Sequence, residues 1–176
     1  MPDLPASVSG PSHERVMLLS IHPAWVGRII NGSKTVELRK TRPLVSQGQL
    51  VLIYSTKPTA AIVATCRISR VEVVETARAW TSFGPKAAIS EAELDQYLLG
   101  AKEAVGIHVD SARELASPID LDFLRERDHF HPPQTWHYLD LRDLKNLIAD
   151  HDAWAEIESE IGATSLRPDR QTVAKI

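Results

Sequence analysis

Residues 29–43 read IINGSKTVELRKTRP and gather Lys34, Arg39, Lys40 and Arg42 around one carboxylate, Glu37, just after a Gly-Ser-Lys turn. Basic side chains at this density suit an anionic ligand. A guanidinium holds phosphate oxygens through two parallel hydrogen bonds, and an ammonium supplies a compact point charge. Lys34 at the turn and Arg39 on a polar strand face are the expected phosphate grips, with Lys40 and Arg42 extending the positive track along a nucleic-acid backbone. Alternation along TVELR puts Thr35, Glu37 and Arg39 on one face and Val36 and Leu38 on the other. A carboxylate set between cations can accept hydrogen bonds from a base edge, for example the exocyclic amine of cytosine. The plainer alternative is that Glu37 and Arg39, two apart, form a structural pair that orders the face.

Other residues extend both readings. Trp25, Tyr54, Trp136 and Tyr138 are candidates to stack on bases, each weighed against ordinary core packing. Trp25 is the foremost, because it shares the short helix that borders the proposed cleft, and Arg28 of the same helix should face outward. Ser33 belongs to the turn itself, and Tyr54, Ser55 and Lys57 lie at a strand end running into the polar link STKPT. Were the chain an enzyme, Lys34 with Glu37, aided by Tyr54 or Ser55, supplies an acid–base pair; a lysine base needs a depressed pKa. His129, His131 and His137 have some metal-ligand character, but no carboxylate or cysteine completes a recognisable spacing, so neither a metal nor another cofactor is expected. Trp80 and Trp154 are assigned to packing. No phosphate-binding glycine loop, dinucleotide fingerprint or serine nucleophile elbow is present.

The chain that must position these groups has 176 residues and a net charge of −3. That length suits one domain with extensions at its ends. Its charge is unevenly spread: nine Lys and Arg face two Glu between His13 and Arg70, against eleven basic and twenty acidic residues from Val71 onward. Such asymmetry predicts one positive face and an acidic remainder; the alternative is mutual neutralisation by surface pairs. Residues 1–14 carry no apolar targeting core and read as a disordered leader. The lone Cys66, in the apolar stretch AAIVATCRI, reads as a small core residue and fits a reducing, cytoplasmic setting.

The elements follow from hydrophobic periodicity. Strands are expected at 16–21, 35–39, 49–55, 60–74, 103–109 and 135–141. A short helix with Pro23 in its first turn and Gly32 past its end leads into the strand at 35–39. Ser90 and Glu93 form a capping box for a helix closed by Gly100. Asp140 caps one last helix carrying Leu144, Leu147, Ile148, His151, Trp154, Ile157 and Ile161 and stopped by Gly162; its stripe suits core or a dimer contact, so monomer or dimer is left open. Residues 163–176 form a loose tail. Regular strand–helix alternation is missing, which favours an α+β class with a mixed, mostly antiparallel sheet of five or six strands closing toward a barrel, short flanking helices and a longer C-terminal one.

The stretch LLSIHPAWVGRIINGSKTVELRKTRP resembles the ASCH domain family of the PUA-like superfamily. The resemblance rests on Ser20, Ile21, Pro23, Gly32, Lys34, Thr35, Glu37 and Arg39, and extends through GQLVLIYSTKPTAAIVATCRI, AVGIHV and HPPQTWHYL, covering about 16–140. It implies a small pseudo-barrel whose cleft, beside the first helix and following strand, accepts nucleic acid or a nucleotide, RNA before DNA. Some members resembling this segment hydrolyse an acylated cytidine with a threonine three residues after the motif lysine; here that position is Glu37, so the matching nucleophile is missing. Other members are proposed to cut RNA. The reading is therefore a nucleic-acid-binding domain, with a small hydrolase acting on RNA or a modified nucleoside as the alternative. A regulatory module for a nucleotide or protein partner comes third, and no membrane association is expected.

Overall fold

Among the described residues, six strands form one sheet: β1 (Arg15–Ile21), β2 (Val36–Arg39), β3 (Leu50–Ser55), β4 (Ala61–Glu75), β5 (Glu103–Asp120) and β6 (Trp136–Asp140). The computed structural model describes residues 15–165, so the expected leader at 1–14 and positions 166–176 of the expected tail lie outside it. The spatial order is β2-β5-β4-β3-β1-β6. Among these six strands only β1 and β3 run parallel, Met17 opposite Val51 through Ile21 opposite Ser55, and every other neighbouring pair is antiparallel.

β1 and β3 are buried on both faces, which is why each reads as an unbroken apolar run rather than an alternation. Val16 and Leu18 meet Leu50, Leu52 and Tyr54 on one side; Met17, Leu19 and Ile21 meet Val51 and Ile53 on the other. The first side is covered by α4 (Leu121–Arg127), α5 (Leu141–Ile148) and α6 (Trp154–Ser165). The second receives Val26 and Ile29 of α1 (Pro23–Ile30). A third cluster joins Val36 and Leu38 of β2 to Phe83 of α2 (Ala79–Ala87) and to Leu94 and Leu98 of α3 (Glu91–Leu98). Ser90 caps α3 through the expected box, its hydroxyl accepting from Glu93 N at 3.3 Å.

Two expectations are corrected, and one helix is added. The strand expected at 103–109 continues to Asp120, although DSARELASPID shows no apolar alternation. β4 supplies the order: its register shifts three times along this stretch, opposing Arg67 to Asp110, Thr65 to Arg113 and Ile62 to Ile119. The single C-terminal helix is two. Asp140 caps α5 as expected, Oδ1 accepting from Asp143 N at 2.8 Å, but the chain breaks after Ile148 because Asp150 ion-pairs with Arg127 and His151 sets its ring edge-on to Phe123 at 4.6 Å. His151 Nδ1 then accepts from Ala153 N at 3.1 Å ahead of α6, which runs past Gly162 to Ser165. Finally, α2 was hidden by Gly84 and Pro85 in its sequence. Trp80 packs over Gly84 so closely that a Cβ there would stand 2.4 Å from the indole.

Two histidines tie the fold to pH. His108 of β5 is buried edge-on to Phe83 and beside Glu72, 3.2 Å away. Burial, reinforced by Arg70, holds its pKa below the usual 6.5 against the pull of Glu72. Burial alone does the same for His137, whose Nε2 has no partner among the described residues. The unfolded chain therefore takes up protons first. Stability is full above 6.5 and falls as the pH drops below it. Thermal melts should show a falling midpoint between roughly pH 7 and pH 5, with a shallower fall in His108→Asn.

Candidate nucleic-acid interface

Lys34, expected at the turn as a phosphate grip, is buried instead. The turn after α1 is shaped by Gly32 at φ +79° and by Lys34 N donating to Arg28 O at 2.8 Å. It aims the ammonium inward, leaving Lys34 only 3% exposed. Its Nζ donates to Val36 O at 2.9 Å and Ala87 O at 2.8 Å and pairs with Glu37 Oε2 at 3.3 Å. All three donors of the ammonium are thereby used. The attraction comes from the end of α2, whose last carbonyls need partners and carry the negative end of the helix dipole. Thr35 N takes Lys86 O at 2.9 Å, Lys34 takes Ala87 O, and Arg28 Nη1 takes Ala88 O at 2.8 Å. Burial lowers the Lys34 pKa, and Glu37 opposes that shift.

Glu37 and Arg39 share the other face of β2 from Val36 and Leu38, as the alternation predicts. Glu37 Oε1 accepts from Arg39 Nη1, so the carboxylate is clamped between two cations. Arg39 also gives Nη1 to Leu38 O at 2.7 Å and Nη2 to Ser20 O at 2.8 Å, tying edge strand β2 to the end of β1. Its Nε is buried with no partner among the described residues.

This network floors a slot of about 190 Å³. Trp25 of α1 and Tyr97 of α3 supply aromatic walls, with Leu38, Ile89 and Glu93 completing the lining. The Trp25 ring lies 5.0 Å from the Arg28 guanidinium and 5.4 Å from Lys34 Nζ. Tyr97 donates to Leu38 O at 3.3 Å and carries Lys40 Nζ 5.3 Å from its ring centre. Arg39 and Tyr97 also border a groove of about 450 Å³ that continues past Lys40, Thr41, Thr135 and Trp136. Lys40 borders a further hollow of about 370 Å³ beside Leu99 and Lys102.

The structure thus brings Trp25, Lys34, Glu37 and Arg39 together, with Arg28 and Lys40 at the margin. Ser33 and Thr35 are exposed on the turn and line none of these hollows, and Arg42 is exposed beyond Lys40. Tyr54 points the other way, into the cluster with Leu18 and Leu124, where burial raises its phenol pKa. Ser55 is buried opposite Ile21, and Lys57 is exposed on the turn at cis Pro58. Trp136 lines the long groove, whereas Tyr138 is engaged by Leu44 N at 2.9 Å and Arg15 at 4.0 Å. Trp80 and Trp154 pack against the third and first clusters. His131 holds His129 O at 2.7 Å, while His137 lies edge-on to Phe130 at 6.2 Å. Among the described residues no helix is long and apolar enough to cross a membrane. Tyr97, Ile89 and Glu93 went unforeseen in the slot; the Ser90 capping box announced the helix that carries Tyr97 and Glu93 but not its partner.

A mixed six-stranded sheet with helices on both faces, and a cationic aromatic slot between its first helix and an edge strand, defines a PUA-like α+β domain. The ASCH domain model matches residues 19–125, and the chain belongs to the ASCH domain family. It is similar to an ASCH domain-containing ribonuclease from Zymomonas mobilis, 27% identical over 133 residues that span 75% of this chain and 89% of the relative. The crystal structure of ASCH from Zymomonas mobilis superposes with a TM-score of 0.71 at 25% identity, covering 78% of this chain and 95% of that one. A serine-to-alanine mutant from the same organism gives 0.71 at 26%, covering 80% and 98%.

Proposed function

We propose that this domain binds single-stranded RNA, taking one unpaired base into the slot between Trp25 and Tyr97 and running the adjoining phosphates past Arg39 and Lys40. One observation carries this: the slot is aromatic at its walls, charged at its floor and open beside a groove bordered by Arg39 and Lys40. Unstacked bases are held by aromatic faces, and backbone phosphates by Lys and Arg. The likeness to a ribonuclease supports RNA over DNA. Lys34, with its donors committed, acts here by fixing Glu37 and contributing charge rather than by gripping a phosphate.

A titration of single-stranded RNA, duplex RNA and duplex DNA at rising salt tests the proposal. Single-stranded RNA should bind tightest, and affinity should fall as salt rises. Trp25→Ala should weaken that binding about tenfold, on the scale of one lost stacking contact, with the salt slope unchanged. Equal binding by a folded Trp25→Ala protein would remove the slot from the interface. A second reading, cleavage of the bound strand, is favoured by the relative's ribonuclease activity and by the lowered pKa of Lys34. Gels of the recovered RNA separate the two: intact strands leave recognition alone, and fragments that vanish in Lys34→Met establish cutting.

A further inference from the structure

The floor of the slot presents one carboxylate held in a fixed place. Glu37 has a side chain 10% exposed, held from behind by Arg39 at Oε1 and by Lys34 at Oε2. Each carboxylate oxygen accepts about two hydrogen bonds, so both retain a lone pair after these contacts. Lys34 has no hydrogen left to give, being committed to Val36 O, Ala87 O and Glu37. Arg39 gives Nη1 to Glu37 and Leu38 O and Nη2 to Ser20 O, and its Nε is buried out of a ligand's reach. The floor therefore offers a ligand two acceptors side by side.

Only guanine, among the four RNA bases, meets two adjacent acceptors with two adjacent donors. Its pairing edge runs O6, N1–H, N2–H: one acceptor followed by two donors. Uracil sets a carbonyl on each side of its single N–H, so an oxygen faces the carboxylate. Adenine and cytosine give one amino donor beside a ring nitrogen whose lone pair repels the second oxygen. We propose that the slot reads guanine, Glu37 accepting from N1–H and N2–H. The space suits one heterocycle: a cavity of ~150 Å³ takes a benzene ring, and this open slot measures about 190 Å³. The inference rests on the reading that the slot takes an RNA base, and it goes further by naming the base and the residue that selects it.

The test uses the full chain against five-nucleotide uridine RNAs with G, inosine, A, C or U at the centre, alongside GMP, IMP, AMP, CMP and UMP. The central guanine should bind about tenfold tighter than A, C or U, the discrimination of one good bidentate contact. Inosine, which lacks the N2 amine, should fall between. Glu37→Gln keeps one acceptor but turns the other into a donor, and should bring guanine to within about twofold of the other bases. The inosine arm needs no substitution, so a poorly folding variant leaves the proposal testable. RNAs that bind equally whatever the central base, or inosine that equals guanine, would overturn the guanine assignment while RNA binding stands. Selective GMP binding without RNA binding would keep guanine recognition and end the RNA reading. If neither nucleotides nor RNAs bind, both fall.

Discussion

Glu37→Ala should cost about 3 kcal/mol of stability, the lower end of what is lost when one partner of a buried ion pair is removed. Two cations depend on this carboxylate. Lys34 keeps its two carbonyl partners but loses its counter-charge, and Arg39 loses one of its three acceptors. The lower end applies because Arg39 is slightly exposed. The sign of the pH dependence is a second signature. Burial already sets the folded pKa of Lys34 below the usual 10.5, and Glu37 is the leading influence raising it. Without Glu37 that pKa falls further, so between the folded and unfolded values the unfolded chain binds more protons and stability rises with pH. The deficit in Glu37→Ala should therefore shrink as alkaline pH discharges the ammonium. Denaturant unfolding at neutral and alkaline pH reads both effects. A loss below about 1 kcal/mol would mean that the three side chains behave as an exposed surface pair.

Phe83→Ala should be at least as damaging, by about 3–5 kcal/mol, the usual range for deleting a buried phenyl ring. Phe83 is fully buried and packs on the bare backbone of Gly106, where a Cβ would stand 2.5 Å from its Cε1. Only a glycine in β5 admits the ring so close. The ring is the hub of the cluster that holds α2 and α3 on β2. Since α2 ends in the carbonyls that engage Lys34 and Arg28, a loosened α2 should also weaken ligand binding. Phe83→Leu, which refills most of the space, should recover much of the stability and the affinity together. Affinity kept intact in a destabilised Phe83→Ala protein would show the slot to be independent of α2.

How far the sequence discloses this molecule depends on the range of the interaction involved. β2 was legible because alternation is local: Val36 and Leu38 face one way, Glu37 and Arg39 the other. The Ser90–Glu93 box was legible for the same reason. The second half of β5 was not, since residues 110–120 owe their extended form to a partner strand about fifty positions earlier. The inward turn of Lys34 was equally hidden. A lysine after a glycine turn reads as exposed, and only the arrival of Ala87 O from a helix disguised by Gly84 and Pro85 gives it a reason to be buried. Tyr97 entered the slot by the same long-range route. Tyr54, placed near the ligand on strand position alone, shows the converse: its alternation with Ile53 sends it into the opposite cluster.

The pairing of β6 with β1 has a consequence for manufacture of the chain. The two strands meet with Arg15 opposite Asp140 and Leu19 opposite Trp136, so the first strand of the sheet waits for the last to be synthesised. Until residue 140 has left the ribosome, one edge of a strand reading RVMLLSI is bare, an apolar template for pairing with a neighbouring chain. A fragment ending before Trp136 would keep Lys34, Glu37 and Arg39, yet carry that sticky edge into solution. Dissections that aim to isolate the slot should trim the molecule elsewhere.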